Sequence, residues 1–202
     1  MRLSILNHHI GDANMRLYNK EKVEDKFQKK YRVSSPRLPG WDYGSHGLYF
    51  VTICTKDRIP YFGEIIQSSN EDRVFLKHSY IGLIAEKYWL QLPDFYTYVK
   101  LDCFVLMPDH LHAILFIDKP DKISWEMNKF GVQKDNLAAI LRGYKASVKK
   151  YANENDIEFA WQPRYYDRVI RDQREYENIR QYIYDNPDNW LINKEGFENL
   201  YL

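Results

Sequence analysis

Two histidines separated by one residue, His110 and His112, are the side chains of this 202-residue chain whose type and spacing most directly suggest chemistry. They open an apolar run that predicts a β-strand over residues 110–118. Side chains alternate between the two faces of a strand, so both imidazoles point to one face. The opposite face carries only apolar residues: Leu111, Ala113, Leu115 and Ile117. Imidazoles at this spacing can share a divalent ion when a third ligand comes from elsewhere, although two surface histidines are the commoner meaning of the pattern.

A predicted helix near the C-terminus pairs a phenol with a side-chain amide. Tyr182 and Asn186 are four positions apart and therefore lie one turn apart on one helix face. Tyr184 is turned away from them by roughly 200°. Such a pair can supply a nucleophile and an oxygen ligand for a metal, while helix packing followed by a C-terminal cap is the simpler alternative.

The histidine pair and the phenol together suit attack on a phosphodiester. A phenol has a pKa of about 10 and is a poor nucleophile at neutral pH. A divalent ion polarises the scissile phosphate and stabilises the charge that develops in the transition state. Attack by Tyr182 would leave a 5′-phosphotyrosine and a free 3′-hydroxyl, so the strand can be rejoined without ATP.

Basic residues cluster in two stretches. A cationic stripe beside the apolar face of the helix that begins near residue 137 consists of Arg142, Lys145 and Lys149. A second cluster, around the start of the tyrosine-bearing helix, consists of Arg164, Arg168, Arg171 and Arg174. Such clusters are usually a solvated surface, but beside a metal site they are candidate contacts to DNA phosphates.

The overall composition gives no separate sign of a polyanionic partner. Lys and Arg together number 29 and Asp and Glu 28, so any nucleic-acid surface must come from local clustering. Cys54 and Cys103 both lie in apolar runs, which predicts core thiols in a reducing cytosol. No apolar stretch is long enough to span a bilayer, and the N-terminus has no secretory pattern, so no membrane partner is expected.

The predicted elements come in the order of an α+β, ferredoxin-like fold. Strands are predicted over 47–55, 97–107, 110–118 and part of 157–170, and helices over 79–92, 137–153 and 171–187. Pro187 is expected to stop the last helix, residues 56–65 to form a connection, and a short extended piece to begin near residue 73. This split βαβ order predicts a four-stranded antiparallel sheet with helices on one face and the other face free for function, plus the tyrosine-bearing helix. The expected division is a flexible N-terminal extension over 1–35, a catalytic domain over 36–190 and a tail over 191–202.

Several segments together resemble the HUH single-tyrosine transposases of insertion sequences, most closely their REP-associated branch. The resemblance rests on YFVTICT in the first strand, MPDHLHAILF around the histidines, LRGYKASVKK in the second core helix, and WQPRYYDRVIRD followed by YIYDNP. These segments come in the family's order and cover about residues 36–190. The chain departs from the family where Tyr-Glu-His is often found, because it has YDR, with Arg168 at the position of the histidine.

The resemblance implies a transposase that nicks and joins single-stranded DNA, with hairpins of repeated palindromes as substrate and Mg²⁺ or Mn²⁺ as cofactor. It implies that His110 and His112 bind the metal, that Tyr182 is the nucleophile, and that Asn186 takes the third ligand position, which varies within the family. It leaves open a monomer or a homodimer in which Tyr182 completes the partner's site. The implied location is the bacterial cytoplasm, in association with the nucleoid.

Two other functions fit the same residues. A ferredoxin-like sheet that exposes aromatic side chains can be a non-catalytic single-stranded nucleic-acid binding module, which would not need the histidine pair. A metal-dependent hydrolase that activates water would need His110 and His112 but not Tyr182, and it would leave no covalent adduct.

Overall fold

The computed structural model describes residue 38 and residues 40–67, 74–124 and 134–192. The predicted extension over 1–35 and residues 193–202 of the predicted tail lie outside the described residues, while residues 191 and 192 belong to the last helix. The strands are β1 (Gly47–Cys54), β2 (Gly63–Gln67), β3 (Val74–His78), β4 (Val99–Met107), β5 (His110–Ile117) and β6 (Tyr166–Ile170). The helices are α1 (Tyr80–Leu90), α2 (Leu92–Phe95), α3 (Leu137–Glu154) and α4 (Gln173–Ile192), and a 3₁₀ turn spans Lys56–Arg58.

The main sheet has four antiparallel strands in the order β4-β5-β1-β6. β1 and β6, the first and last strands of this sheet along the chain, are therefore neighbours. Helix α1 lies in the connection from β1 to β4, and α3 lies in the connection from β5 to β6. This is the split βαβ arrangement, and it confirms the predicted ferredoxin-like α+β fold. In the register of β1 and β5, Cys54 lies opposite His110 and Thr52 lies opposite His112.

Local sequence signals explain where the two core helices begin. The hydroxyl of Ser79 accepts a hydrogen bond from the backbone N–H of Gly82, 3.1 Å away, and so caps α1. The side-chain oxygen of Asn136 does the same for Ala139 at 3.0 Å and caps α3. The face of α3 that the sequence periodicity marks as apolar is buried; its buried residues are Leu137, Ile140, Leu141, Tyr144, Val148 and Ala152.

The principal core lies between the sheet and the layer formed by α1 and α3. The alternate residues of β5 that were predicted to face the helices are all fully buried in it: Leu111, Ala113, Leu115 and Ile117. Burying these side chains contributes hydrophobic free energy to folding, and it fixes which face of β5 presents the histidines.

The opposite face of the sheet is covered in part by α4 and is not free as predicted. Phe50 and Ile114, from this face of β1 and β5, form a second core with Tyr176 and Ile183 of α4. The prediction was wrong because it treated the last helix as an appendage, whereas its apolar stripe needs a surface to bury against. The histidines are consequently buried, with 2% of His110 and 1% of His112 exposed.

Two predicted boundaries are also wrong. Residues 63–65, expected in a connection, belong to β2, which pairs with β3; Gly63 (φ 139°) permits this, because a Cβ there would lie 2.1 Å from the carbonyl oxygen of Lys77. Pro187 does not stop α4, which continues to Ile192. One proline removes one backbone donor, and contact between the later residue Trp190 and His110 (ring centroids 5.8 Å apart) helps to hold the last turns on the sheet.

The two cysteines are free and half-buried, not core thiols as predicted. Burial raises the pKa of the Cys103 thiol to about 11 and also raises that of Cys54. Within the described residues, no helix is long and apolar enough to cross a membrane.

Candidate active site

His112 is held between a hydroxyl from β1 and the phenol of α4. Its Nδ1 lies 2.8 Å from Oγ1 of Thr52, and its Nε2 lies 3.1 Å from the hydroxyl of Tyr182. Burial is the main reason that the pKa of His112 is well below its usual value, so the imidazole is neutral at physiological pH. A neutral ring carries one proton, which leaves one of its two nitrogens with a lone pair for a metal or for the phenol.

His110 is oriented by its neighbour in the turn, Asp109. The Oδ1 of Asp109 lies 2.5 Å from Nδ1 of His110, and Oδ2 forms an ion pair with Arg58, whose Nε lies 2.9 Å away. Nη2 of Arg58 also lies 3.2 Å from Nδ1 of His110. If Nδ1 donates its hydrogen to the nearer carboxylate of Asp109, both of these nitrogens are donors and cannot hydrogen-bond to each other. We therefore assign the proton of His110 to Nδ1, which leaves the lone pair on Nε2.

Nε2 of His110 is buried and makes no hydrogen bond of normal geometry with the described residues, although the Asn186 amide lies near enough to raise the pKa of this ring. A buried polar atom without a partner is costly in a folded protein and requires an explanation. Burial lowers the pKa of His110, so this nitrogen offers a lone pair, as a metal-binding imidazole does.

Packing of α4 on the sheet brings Tyr182 and Asn186 to the histidines. Asn186 is buried, with 9% of its side chain exposed, and it lies close enough to act on the pKa of both neighbours. Burial raises the pKa of the Tyr182 phenol, an increase that the Asn186 amide partly offsets, and the same amide raises the pKa of His110. Tyr184 points away from the site with 79% of its surface exposed, as its helical position predicts.

These side chains fit a divalent ion. Within the part of the chain that the structure describes, no three His, Cys, Asp or Glu residues are grouped as a metal site. The ring centroids of His110 and His112 are 4.5 Å apart, both rings are neutral, and the amide of Asn186 is the adjacent oxygen donor. The carboxylate behind His110 is the usual support of a metal-binding histidine.

Comparison with known proteins finds three relatives of this chain. A protein of Haemophilus influenzae with no assigned function is 33% identical over 166 residues, which cover 77% of this chain and 88% of that protein. A second H. influenzae protein, provisionally named a REP-associated tyrosine transposase, is 27% identical over 151 residues, covering 72% of this chain and 73% of its own length. The REP-associated tyrosine transposase of Escherichia coli K12 is 25% identical over 88 residues, 44% of each chain.

The chain is thus a relative of proteins named REP-associated tyrosine transposases. No protein-family model matches it. A solved structure of a REP-associated tyrosine transposase bound to a REP hairpin aligns with a TM-score of 0.48 at 16% identity, covering 82% of this chain and 74% of that one.

Three of the predicted DNA-contacting cations, Arg168, Arg171 and Arg174, line a cavity that borders the histidine site. A cavity of about 340 Å³ opens beside Tyr182 and His112, between α4 and the sheet, and Arg168 and Arg171 line it. Both arginines contact the carboxylate of Glu175, with Nε of Arg168 at 2.5 Å and Nε of Arg171 at 3.6 Å. Arg168 therefore joins β6 to the first turns of α4.

The remaining predicted cations lie away from this cavity. Nζ of Lys145 donates to the backbone carbonyls of Gln162 and Arg164, at 2.7 and 2.9 Å, and Nζ of Lys149 donates to that of Phe159 at 2.7 Å. These bonds fasten α3 to the irregular segment before β6. Since α3 covers the other face of the sheet, the structure does not bring Arg142, Lys145, Lys149 and Arg164 together with Tyr182.

Three residues that support the site were not predicted from the sequence: Thr52, Arg58 and Asp109. Asp109 carried a usable signal, because a carboxylate directly before a candidate metal-binding histidine is a plausible support for it. Thr52 could be found only from the register of β1 against β5, and Arg58 only from the path of the chain after β1.

Proposed function

We propose that this chain is a transposase that cleaves and rejoins single-stranded, palindromic hairpin DNA through a 5′-phosphotyrosine intermediate on Tyr182. The observation that carries the proposal is the position of the Tyr182 hydroxyl, 3.1 Å from Nε2 of His112 in the same buried site as His110 and Asn186. Similarity to proteins named REP-associated tyrosine transposases supports the reaction class.

The proposed cofactor is Mg²⁺ or Mn²⁺ held by His110, His112 and Asn186. When bound there, such an ion would polarise the scissile phosphate and offset its developing negative charge. The chain's own residues prepare this position: Asp109 and Thr52 orient the two rings through their Nδ1 atoms, so that each Nε2 is available.

The proposed reaction exchanges one phosphate ester for another. The phenolic oxygen of Tyr182 forms a bond to phosphorus as the bond from phosphorus to the 3′-oxygen breaks, which leaves a 5′-phosphotyrosine and a 3′-hydroxyl. The phenol gives up one proton and the departing oxygen takes one up, so charge is balanced. Because burial raises the pKa of Tyr182, the free phenol is protonated at neutral pH and does not attack unaided.

A covalent-adduct assay tests this proposal. The full chain is incubated with Mn²⁺ and labelled single-stranded hairpins taken from the DNA that flanks its gene. The amount of protein–DNA adduct that survives SDS is then measured. Tyr182→Phe should abolish the adduct, whereas Tyr184→Phe, an exposed tyrosine half a turn further along the same helix, should retain it. An active Tyr182→Phe protein would disprove the nucleophile.

The same assay separates the other two functions. Cleavage that needs His110 and His112 but persists without Tyr182, and leaves no adduct, would identify a hydrolase that activates water. Hairpin binding that survives EDTA and His110→Ala, with no cleavage in any condition, would identify a binding module.

A further inference from the structure

The cavity beside Tyr182 has the size of a site for one small ligand. Its volume is about 340 Å³, near the lower end of the range for ligand pockets, roughly 300–1,000 Å³. A base-paired stem cannot enter a space of this size, whereas one unpaired nucleotide can. Since Tyr182 and His112 form part of its wall, whatever fills the cavity lies next to the phenolic hydroxyl.

One side of the cavity is apolar and aromatic. Phe50, Tyr166 and Ile179 line it, and the rings of Phe50 and Tyr166 meet edge to face with centroids 6.2 Å apart. Phe50 also stacks on His112, with centroids 5.6 Å apart, so this wall is continuous with the histidine site. Aromatic walls of this kind hold bases that have left a stack, because every base has a π-face.

The rim of the cavity has an excess of positive charge. Its carboxylates are already engaged: Glu175 with Arg168 and Arg171, and Asp172 with the backbone N–H of Glu175 at 2.8 Å, where it caps α4. Arg174, exposed on the first turn of α4, makes no ion pair with any residue that the structure describes. Its guanidinium is therefore available for a phosphate, whose oxygens match the paired N–H donors of arginine.

We propose that this cavity binds a single unpaired deoxynucleotide next to the scissile phosphate, with the base against Tyr166 and Ile179 and a phosphate on Arg174. This inference rests on the proposed strand-transfer function and adds to it a specificity site within the chain. It means that one nucleotide adjoining the cleaved bond is read as an unpaired base, separately from the hairpin.

Titration calorimetry on the full chain in EDTA tests the inference without any reaction. The probes are the four deoxynucleoside 5′-monophosphates, the corresponding deoxynucleosides and inorganic phosphate. At least one monophosphate should bind about tenfold more tightly than inorganic phosphate, since stacking of a base contributes that much. Monophosphates that bind no more tightly than phosphate would overturn the inference.

Two variants assign the two ends of the ligand. Tyr166→Leu should weaken monophosphate and nucleoside binding about tenfold and leave phosphate binding unchanged, because only the base meets this ring. Arg174→Gln should weaken monophosphate and phosphate binding about tenfold, because that is the affinity contributed by one charge-assisted hydrogen bond. Lys87→Gln, an exposed cation on α1 in the other layer, is the matched control and should bind as the wild type does. Wild-type affinity in both cavity variants would place the nucleotide elsewhere and disprove the site.

Failure of this inference and failure of the proposed function are distinguishable. Tyr182→Phe should still bind the monophosphates, because its ring remains in the wall. Nucleotide binding without any covalent adduct would overturn only the reaction, and adduct formation by a chain that binds no mononucleotide would overturn only the cavity site.

Discussion

The hydroxyl of Tyr182 and Nε2 of His112 lie 3.1 Å apart, and this nitrogen is also the one through which His112 would bind a metal. The other ring nitrogen contacts Thr52, so a single lone pair faces both the phenol and the candidate metal position. The phenol and an ion held by His112 would therefore compete for this lone pair, and ion binding there would release the phenol from the ring.

Tyr182→Phe should consequently bind Mn²⁺ more tightly than the wild type, although it forms no adduct. The hydrogen bond that an ion must displace is worth about 1 kcal/mol, which corresponds to roughly a fivefold gain in affinity. Calorimetric titration with MnCl₂ measures it, with Tyr184→Phe as the control. Equal or weaker binding by Tyr182→Phe would contradict competition for one lone pair.

Asp109→Asn should weaken Mn²⁺ binding about 10- to 100-fold, the usual effect of losing a carboxylate behind a metal-binding histidine. The amide can still accept a hydrogen bond, but it does not hold the proton of His110 on Nδ1 as a charged group does. Nitrogen-15 shifts of the imidazoles in the metal-free protein should show a mixture of tautomers at His110 in the variant and one tautomer in the wild type. Asp118→Asn, directly after β5 instead of before it, should change neither measurement.

Asn186 is the proposed third metal ligand, and its substitutions test that role directly. Asn186→Ala should weaken Mn²⁺ binding at least tenfold, while Asn186→Asp should restore it, because a carboxylate is a stronger oxygen ligand for this ion. Calorimetry of both variants is sufficient. If Asn186→Ala binds Mn²⁺ as the wild type does, the third ligand is another group.

Leu111→Ala should lower the free energy of unfolding by about 2–5 kcal/mol, because it opens a cavity in the principal core. Leu83→Ala removes the same atoms from a leucine of α1 that is 51% exposed, and its cost should stay below about 0.5 kcal/mol. Urea unfolding followed by circular dichroism compares the two variants. Similar losses would mean that β5 does not turn this face to the helices.

Tyr49 should make the protein less stable in alkali. Burial raises the pKa of its phenol from 10.0 to about 12, and the hydroxyl donates to the carbonyl of Ser45 at 2.9 Å. The unfolded chain therefore loses this proton first, so the contribution is complete below pH 10 and disappears as pH rises towards 12, for a total of about 2–3 kcal/mol.

Urea unfolding between pH 9 and pH 12 measures this effect. The loss of stability across that interval should be smaller in Tyr49→Phe than in the wild type by the same amount. Parallel pH profiles of the two proteins would show that Tyr49 titrates alike in the folded and unfolded states.

The sequence alone determined the elements that follow from local periodicity and composition. Alternation along β5 marked Leu111 as buried and the histidines as facing the other side, and the apolar stripe and caps of α3 placed that helix nearly to the residue. The spacing of Tyr182 and Asn186 likewise placed them on one face of α4. These features depend on neighbours within a few positions, which a linear pattern records.

Only the tertiary structure decided what meets across the fold. The burial of His110 and His112 depends on α4 folding back over the sheet, and its continuation through Pro187 depends in part on contacts at its far end. Thr52 and Arg58 reach the site through strand register and chain path, over separations of 60 and 52 residues. Such contacts are set by the packing of whole elements and not by local preference, so the support of the site became visible only in three dimensions.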